Sequence, residues 1–215
     1  MNDKEDAAKT LLETVEALKK SEVGQLVKAR TAQFGEMAKK PSTELFKELS
    51  FCVLCANFTA ERSMRIQNAV GDGFLDLPEE ELAQKLKALG HRFPSTRARY
   101  IVEARKHKDS LKATITSFND GQKLREWLIS NVKGLGPKEA SHFLRNIGYT
   151  EFAIVDFHIV DVLVRHGLIQ KPKTVTKRRY LEIEETLKRI AQKVNLNLAE
   201  LDLYLWYMET GKVLK

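Results

Sequence analysis

The chain of 215 residues is long enough for one large domain or two smaller ones, and its formal net charge of +7 suits a polyanionic partner. Its two cysteines, Cys52 and Cys55, are too few for a disulfide framework or for the four thiolates of an iron–sulfur cluster. Because both lie in an apolar run, we predict that they are small buried residues of a helix. No stretch is apolar enough for a membrane span and the first residues do not resemble a secretory signal, so an intracellular protein without membrane contact is expected.

The hydrophobic pattern predicts helices along nearly the whole chain. Apolar residues recur at steps of three and four from Ala8 to Leu18. Ser42 and Ser95 are expected to cap two helices, and Pro78, followed by three glutamates, is expected to open another. One further predicted helix leads into the hairpin through Trp127, Leu128 and Ile129, another runs from Pro137 to near Gly148, and the last two cover 176–194 and 198–210.

These elements predict an all-α protein with two helical lobes. Residues 71–148 form the expected middle bundle, and residues 1–70 together with 149–215 form the expected second lobe. A cleft between the two lobes is the expected binding site.

The sequence from Val132 to Ser141 predicts a helical hairpin. Gly134, Leu135 and Gly136 form a turn between two helices, and Pro137 opens the second helix, where its missing N–H is tolerated. Glycine-rich turns at a helix N-terminus leave backbone amides uncovered, and such amides bind phosphate. We therefore expect the amides of Gly134 and Gly136 to hold the phosphates of a nucleic acid.

Lys138 lies in the first turn after this hairpin, and Asp156 follows it by eighteen residues at the expected start of the next helix. Taken singly, Lys138 could be a solvated charge or a phosphate contact, and Asp156 an ordinary N-cap. Together with the hairpin, they supply the amine and the carboxylate that a DNA glycosylase with an amine nucleophile needs.

The segment from about Leu49 to His166 resembles the helix-hairpin-helix superfamily of DNA glycosylases, whose signature is this hairpin with a lysine followed by Val-Asp-x-His. The run Gly-Pro-Lys-Glu-Ala-Ser-His-Phe-Leu-Arg-Asn and the final Gly-Lys-Val-Leu-Lys resemble more narrowly the 8-oxoguanine DNA glycosylase/AP lyases of archaea and some thermophilic bacteria. This narrower similarity covers nearly the whole chain. Asp161 departs from the pattern, because relatives such as endonuclease III carry a basic residue there, which leaves a phosphate contact at that position unsupported.

The resemblance implies a bifunctional enzyme that flips 8-oxoguanine out of duplex DNA, excises it and nicks the strand. Lys138 is implied to attack C1′ as a neutral amine, forming a Schiff base that permits β-elimination of the 3′ phosphate. Asp156 is implied to stabilise the positive charge that develops on the sugar. No cofactor is expected.

Further roles follow from the same resemblance. Asn57 falls where the family places a wedge residue that fills the gap left by the flipped base, although an exposed helix C-cap is an equally open interpretation. Phe93 and Trp206 fall where the narrower family sandwiches the flipped purine, although the run around Trp206 is also typical of core. The backbone carbonyls of Val132 and Leu135 are implied to bind a monovalent cation, and no transition-metal site is expected.

The segment that ends at Lys215 suggests how the lesion is recognised. Its carboxylate or a nearby carbonyl would accept a hydrogen bond from N7 of 8-oxoguanine, which carries a hydrogen that guanine lacks. The expected protein is a monomer in the nucleoid or cytoplasm that acts on double-stranded DNA containing 8-oxoguanine. Two alternatives stay open: a helix-hairpin-helix binding module in which Lys138 only contacts phosphate, and a glycosylase for oxidised pyrimidines.

Overall fold

The computed structural model describes the backbone of residues 3–215 and the side chains from Ala7 onward. Within this range the chain contains helices and no strand, which confirms the predicted all-α class. None of the described helices is long and apolar enough to cross a membrane. Thirteen α-helices follow one another within residues 3–215, with a 3-10 turn at Arg105–His107 between α7 and α8: α1 (Asp3–Lys19), α2 (Glu22–Ala38), α3 (Ser42–Cys55), α4 (Ala60–Val70), α5 (Gly73–Asp76), α6 (Glu79–Ala88), α7 (Pro94–Ala104), α8 (Leu111–Thr116), α9 (Gly121–Asn131), α10 (Pro137–Asn146), α11 (Phe157–Arg165), α12 (Lys177–Lys193) and α13 (Leu198–Thr210).

Residue contacts divide the described chain into two compact units. The first unit combines the residues up to Phe34 with Gly148–Lys215, and the second unit is Gly35–Ile147. The expected division differs for residues 35–70, which fall in the second unit because α3 packs against α4, α5, α7, α8 and α10. At the other end of the middle bundle, the second unit ends at Ile147, close to the expected boundary.

In the first unit, α13 packs against α1, α11 and α12, and most of its first two turns is buried. The helix begins with a reciprocal cap in which the Asn197 side chain accepts the Glu200 N–H at 2.9 Å. In return, the Glu200 carboxylate accepts the Asn197 N–H at 3.1 Å. This cap fixes the start of the helix that carries Trp206.

In the second unit, α3 is buried along most of its length, and Cys52 and Cys55 are both buried and unbridged, as predicted. The buried carboxylate of Glu48 accepts a hydrogen bond from Asn146 Nδ2 at 2.7 Å. A buried carboxylate requires hydrogen-bond partners, and this contact ties the middle of α3 to the last residue of α10. The helix that follows the hairpin is therefore anchored to the centre of the unit at its far end.

The two predicted serine caps are wrong. Ser42 is the first residue of α3 rather than its cap, and its Oγ instead accepts the N–H of Lys112 at 3.0 Å. Ser95 lies within α7, which begins at Pro94 with Phe93 in the cap position. In both cases the helix begins earlier than the serine pattern indicated. For α7 the reason is that proline fits the first helical position.

Candidate functional site

The predicted hairpin is present between α9 and α10. Its backbone folds back on itself where the Leu135 N–H donates to the Val132 carbonyl at 3.3 Å. Gly134 has a φ of +89°, in the region that residues with a Cβ rarely adopt. A Cβ at this position would also run into the ring of Tyr100. Gly134 is therefore required both by its backbone conformation and by the close approach of Tyr100.

The two hairpin amides expected to bind phosphate differ in their surroundings. No hydrogen bond to the Gly134 N–H is found among the described residues. The Gly136 N–H instead donates to Glu139 Oε2 at 3.1 Å. A phosphate at Gly136 would have to displace that carboxylate, whereas at the partly exposed Gly134 it would meet an N–H that has no acceptor among the described residues.

Lys138 lies in the first turn of α10, and its side chain is 28% exposed. Its Nζ is 3.2 Å from Glu139 Oε1, and the Glu139 side chain is 12% exposed. One carboxylate therefore contacts both the hairpin amide and the lysine amine. The Glu139 carboxylate therefore restricts the position of the Lys138 amine, although the lysine side chain is partly exposed.

Phe93 and Asn57 both lie in loops of the second unit. Phe93 precedes α7 and is partly buried, with the Arg92 guanidinium 5.0 Å from the centre of its ring. Asn57 follows the C-cap of α3, is exposed, and has a left-handed φ of +57°. Asparagine tolerates this conformation better than most residues, so its exposed side chain is held at a sharp turn.

Asp156 lies in the first unit and is the N-cap of α11, as the sequence indicated. Its Oδ1 accepts the N–H of Ile159 at 3.0 Å. The extended segment before it is held by three side chains. Glu184 accepts the N–H of Ala153 at 3.3 Å, Asp202 accepts that of Ile154 at 3.1 Å, and the Tyr180 hydroxyl accepts that of Val155 at 3.3 Å. Because these acceptors come from α12 and α13, Asp156 is positioned by the core of its unit.

Trp206 is also in the first unit, on α13, and is only partly buried. The His158 ring meets it edge to face at a centroid distance of 4.7 Å, and the ring of Phe157 lies 4.0 Å from that of His158. Phe157 is 69% exposed, more than any other large apolar side chain among the described residues. His158 therefore packs against the Trp206 indole.

The segment after α13 turns at Gly211, which has a left-handed φ of +68°. Val213 packs against the core of the first unit, and its carbonyl accepts a hydrogen bond from Arg30 Nη2 at 3.4 Å. Lys215 is partly buried. This segment is therefore docked on its unit rather than extended into solvent.

Sequence reasoning missed Glu139, Tyr100 and Phe157. Glu139 had a local signal, since a glutamate at the third helical position often accepts the N–H of the cap residue. Tyr100 had none, because only the folded chain brings its ring against Gly134. Phe157 was read only as part of a motif, and a sequence does not show that such a ring stays exposed.

Comparison with known proteins gives consistent matches over nearly the whole chain. Residues 27–196 match the family described as 8-oxoguanine DNA glycosylase. The 8-oxoguanine DNA glycosylase/AP lyase of Korarchaeum cryptofilum is 53% identical over 206 residues, covering 95% of this chain and 98% of the relative. The crystal structure of the Methanocaldococcus jannaschii 8-oxoguanine glycosylase/lyase with a 15mer DNA containing 8-oxoguanine is 52% identical, with a TM-score of 0.93 over 96% of this chain and 100% of that one. The 8-oxoguanine DNA glycosylase of Thermotoga maritima is 45% identical, with a TM-score of 0.91 over 97% of this chain and 100% of that one.

Proposed function

Because the chain belongs to the 8-oxoguanine DNA glycosylase family, we propose that it excises 8-oxoguanine from duplex DNA and then nicks the strand 3′ to the abasic site. The observation that carries this proposal is the family match over nearly the full length of both chains, at 53% identity to a glycosylase/AP lyase. The hairpin, Lys138 and Asp156 lie inside the matched range. The reaction begins when the damaged nucleotide is flipped out of the duplex, at a cost of a few kcal/mol of unstacking.

Lys138 is the proposed nucleophile. Its neutral amine forms a bond to C1′ while the bond from C1′ to N9 of the base breaks, and the departing base takes up a proton. Opening of the sugar ring gives a protonated Schiff base. Loss of a proton from C2′ then expels the 3′ phosphate, and water releases the remaining sugar from the lysine. The partly exposed position of Lys138 in the first turn of α10 supports this role.

Asp156 is the proposed electrostatic partner of this reaction. Its carboxylate stabilises the positive charge that develops on the sugar as the base departs. A carboxylate that caps a helix is favoured in its ionised form, which suits this role. Lys138 lies in the second unit and Asp156 in the first.

DNA contacts are proposed for the hairpin and for the turn after α3. The Gly134 amide binds a phosphate, and Gly136 contributes if phosphate replaces Glu139. Asn57, exposed at its turn, fills the space left by the flipped nucleotide. The carbonyls of Val132 and Leu135 can bind a monovalent cation at the hairpin.

Base recognition is proposed for Phe93, Trp206 and the segment that ends at Lys215. Both residues are partly buried, and stacking of an aromatic ring on a base contributes about 1–3 kcal/mol per base. An acceptor near Lys215 takes the hydrogen on N7 of 8-oxoguanine. Guanine would leave that acceptor facing a lone pair, which is the basis of the proposed selectivity.

A panel of end-labelled duplexes tests the proposal. Each duplex carries one 8-oxoguanine, guanine, oxidised pyrimidine or preformed abasic site, and base release and strand nicking are scored separately under single-turnover conditions. We expect both reactions with 8-oxoguanine, nicking of the abasic site, and little reaction with guanine or the oxidised pyrimidine. Binding without reaction would support a non-catalytic module, and faster release of the pyrimidine would overturn the substrate assignment. Sedimentation of the complex tests the further proposal that one monomer binds each duplex.

A further inference from the structure

His91 lies between α6 and α7 and links the segment before α7 to the end of α3 in the second unit. Its Nε2 lies 3.1 Å from the carbonyl of Leu54 in α3, and its Nδ1 accepts the N–H of Phe93 at 3.0 Å. A carbonyl can only accept and an N–H can only donate, so both contacts require the neutral tautomer with hydrogen on Nε2. The ring is 5% exposed and packs against Phe58 at a centroid distance of 4.3 Å.

Arg97 makes a second link between the region of Phe93 and the end of α3. From α7, its Nη2 donates to the carbonyl of Ala56 at 2.6 Å, and the residue is 7% exposed. Its guanidinium also lies 5.8 Å from the centre of the Phe93 ring. Ala56 directly precedes Asn57, so the two buried side chains hold both flanks of Phe93 to the end of α3 and the turn that follows it.

From these contacts we infer that His91 and Arg97 are positioning residues that set the ring of Phe93 at a fixed place relative to Asn57. The inference rests on the proposed function, in which Phe93 stacks on the flipped base and Asn57 fills the gap in the duplex. Because the same contacts hold both residues, the position where Asn57 fills the duplex is fixed relative to the position where Phe93 stacks on the flipped base. A displacement of about 1 Å at a reacting group can reduce a rate roughly a hundredfold, so the position of Phe93 affects the rate of excision directly.

The position of Phe93 is sensitive to protonation of the His91 imidazole. Burial lowers the pKa of His91, the hydrogen bond to Leu54 opposes this shift, and the nearby positive charge of Arg97 lowers the pKa further. Phe58, which packs against the His91 ring, also has the Arg62 guanidinium 5.9 Å from its ring centroid. An imidazolium would turn its Nδ1–H against the N–H of Phe93, and that hydrogen bond would be lost.

Replacement of the ring tests the inference. His91→Phe keeps an aromatic side chain against Phe58 but removes both hydrogen bonds. We expect excision of 8-oxoguanine in single turnover to fall by roughly a hundredfold. Nicking of a preformed abasic site, which has no base for Phe93 to hold, should stay near the wild-type rate. His107→Phe is the control, because His107 is a partly buried histidine of the second unit whose ring packs against Trp127, and its replacement should leave both rates unchanged.

The comparison of the two reactions separates this inference from a merely structural role. If His91→Phe leaves excision unchanged, or slows excision and nicking equally, His91 does not position Phe93 for base capture. A wild-type enzyme that nicks abasic sites but does not excise 8-oxoguanine would instead contradict the proposed function. Nitrogen NMR of labelled histidine tests the tautomer of His91 independently of whether the enzyme excises 8-oxoguanine.

The wild-type pH profile provides a second test if His91→Phe does not fold. We expect the ratio of excision to abasic-site nicking to fall in acid, at the pH where NMR shows His91 gaining its proton and the Phe93 amide signal shifting. The His107→Phe control should follow the same profile. A ratio that stays constant while His91 titrates would overturn the inference.

Discussion

The Oε1 atom of Glu139 lies 3.2 Å from Nζ of Lys138 in the first turn of α10. The other oxygen of the same carboxylate accepts the Gly136 N–H at 3.1 Å. The hairpin and the proposed nucleophile are therefore linked through one side chain.

Substitutions at Glu139 should separate its two contacts. Glu139→Gln retains an acceptor for the Gly136 N–H but loses the ion pair with Lys138 and the attraction to the buried Arg97, so its free energy of unfolding should fall less than that of Glu139→Ala. Glu139→Ala removes the acceptor and should lower the free energy of unfolding by about 1 kcal/mol, as for a lost helix cap. Urea unfolding measures both values. Equal stabilities of the two variants would contradict the assigned role of the Gly136 bond.

Asp156→Asn distinguishes catalysis from capping. Asparagine caps helices about as well as aspartate, so the melting temperature should be near that of the wild type. Loss of the negative charge should slow excision of 8-oxoguanine by about 10²–10³-fold in single turnover. As a matched control, Asp156→Ala should be destabilised by about 1 kcal/mol in addition. Near-normal excision by Asp156→Asn would reduce this residue to a cap.

Gly134→Ala should damage the hairpin for two reasons. The positive φ alone costs an alanine about 1–2 kcal/mol, and its Cβ would also run into the Tyr100 ring. We expect a lower free energy of unfolding and weaker binding to duplex DNA, measured by urea titration and fluorescence anisotropy. In the Tyr100→Ala background the same change should cost less, because only the backbone strain remains. If the cost is the same in both backgrounds, the close approach of Tyr100 contributes nothing.

Deletion of Lys215 tests how the lesion is recognised. If an acceptor in this segment receives the hydrogen on N7, the deletion should lower excision of 8-oxoguanine far more than nicking of abasic sites. Lys212→Ala, which changes an exposed side chain earlier in the segment, should leave the ratio of these rates unchanged. Full preference for 8-oxoguanine over guanine in the deletion variant would show that recognition lies elsewhere.

The sequence predicted local features better than contacts between distant residues. Apolar periodicity, Pro137 and the capping propensity of Asp156 report on neighbouring residues, and the structure contains the hairpin and the N-cap that they indicated. The placement of 35–70 in the second unit could not be predicted, because α3 is apolar on most faces and such a pattern does not identify its neighbours. The approach of Tyr100 to Gly134 depends on packing between separate elements and has no local signal.

Borohydride trapping on a duplex containing 8-oxoguanine tests the central claim most directly, because it detects the Schiff base between the enzyme and the sugar. We compare the wild type, Lys138→Gln, and Lys133→Gln as a matched control at an exposed lysine of the same hairpin. The account predicts a covalent adduct with the wild type and with Lys133→Gln, and none with Lys138→Gln, which should still bind the duplex because only one positive contact is lost. An adduct with Lys138→Gln at the wild-type level would show that another amine is the nucleophile.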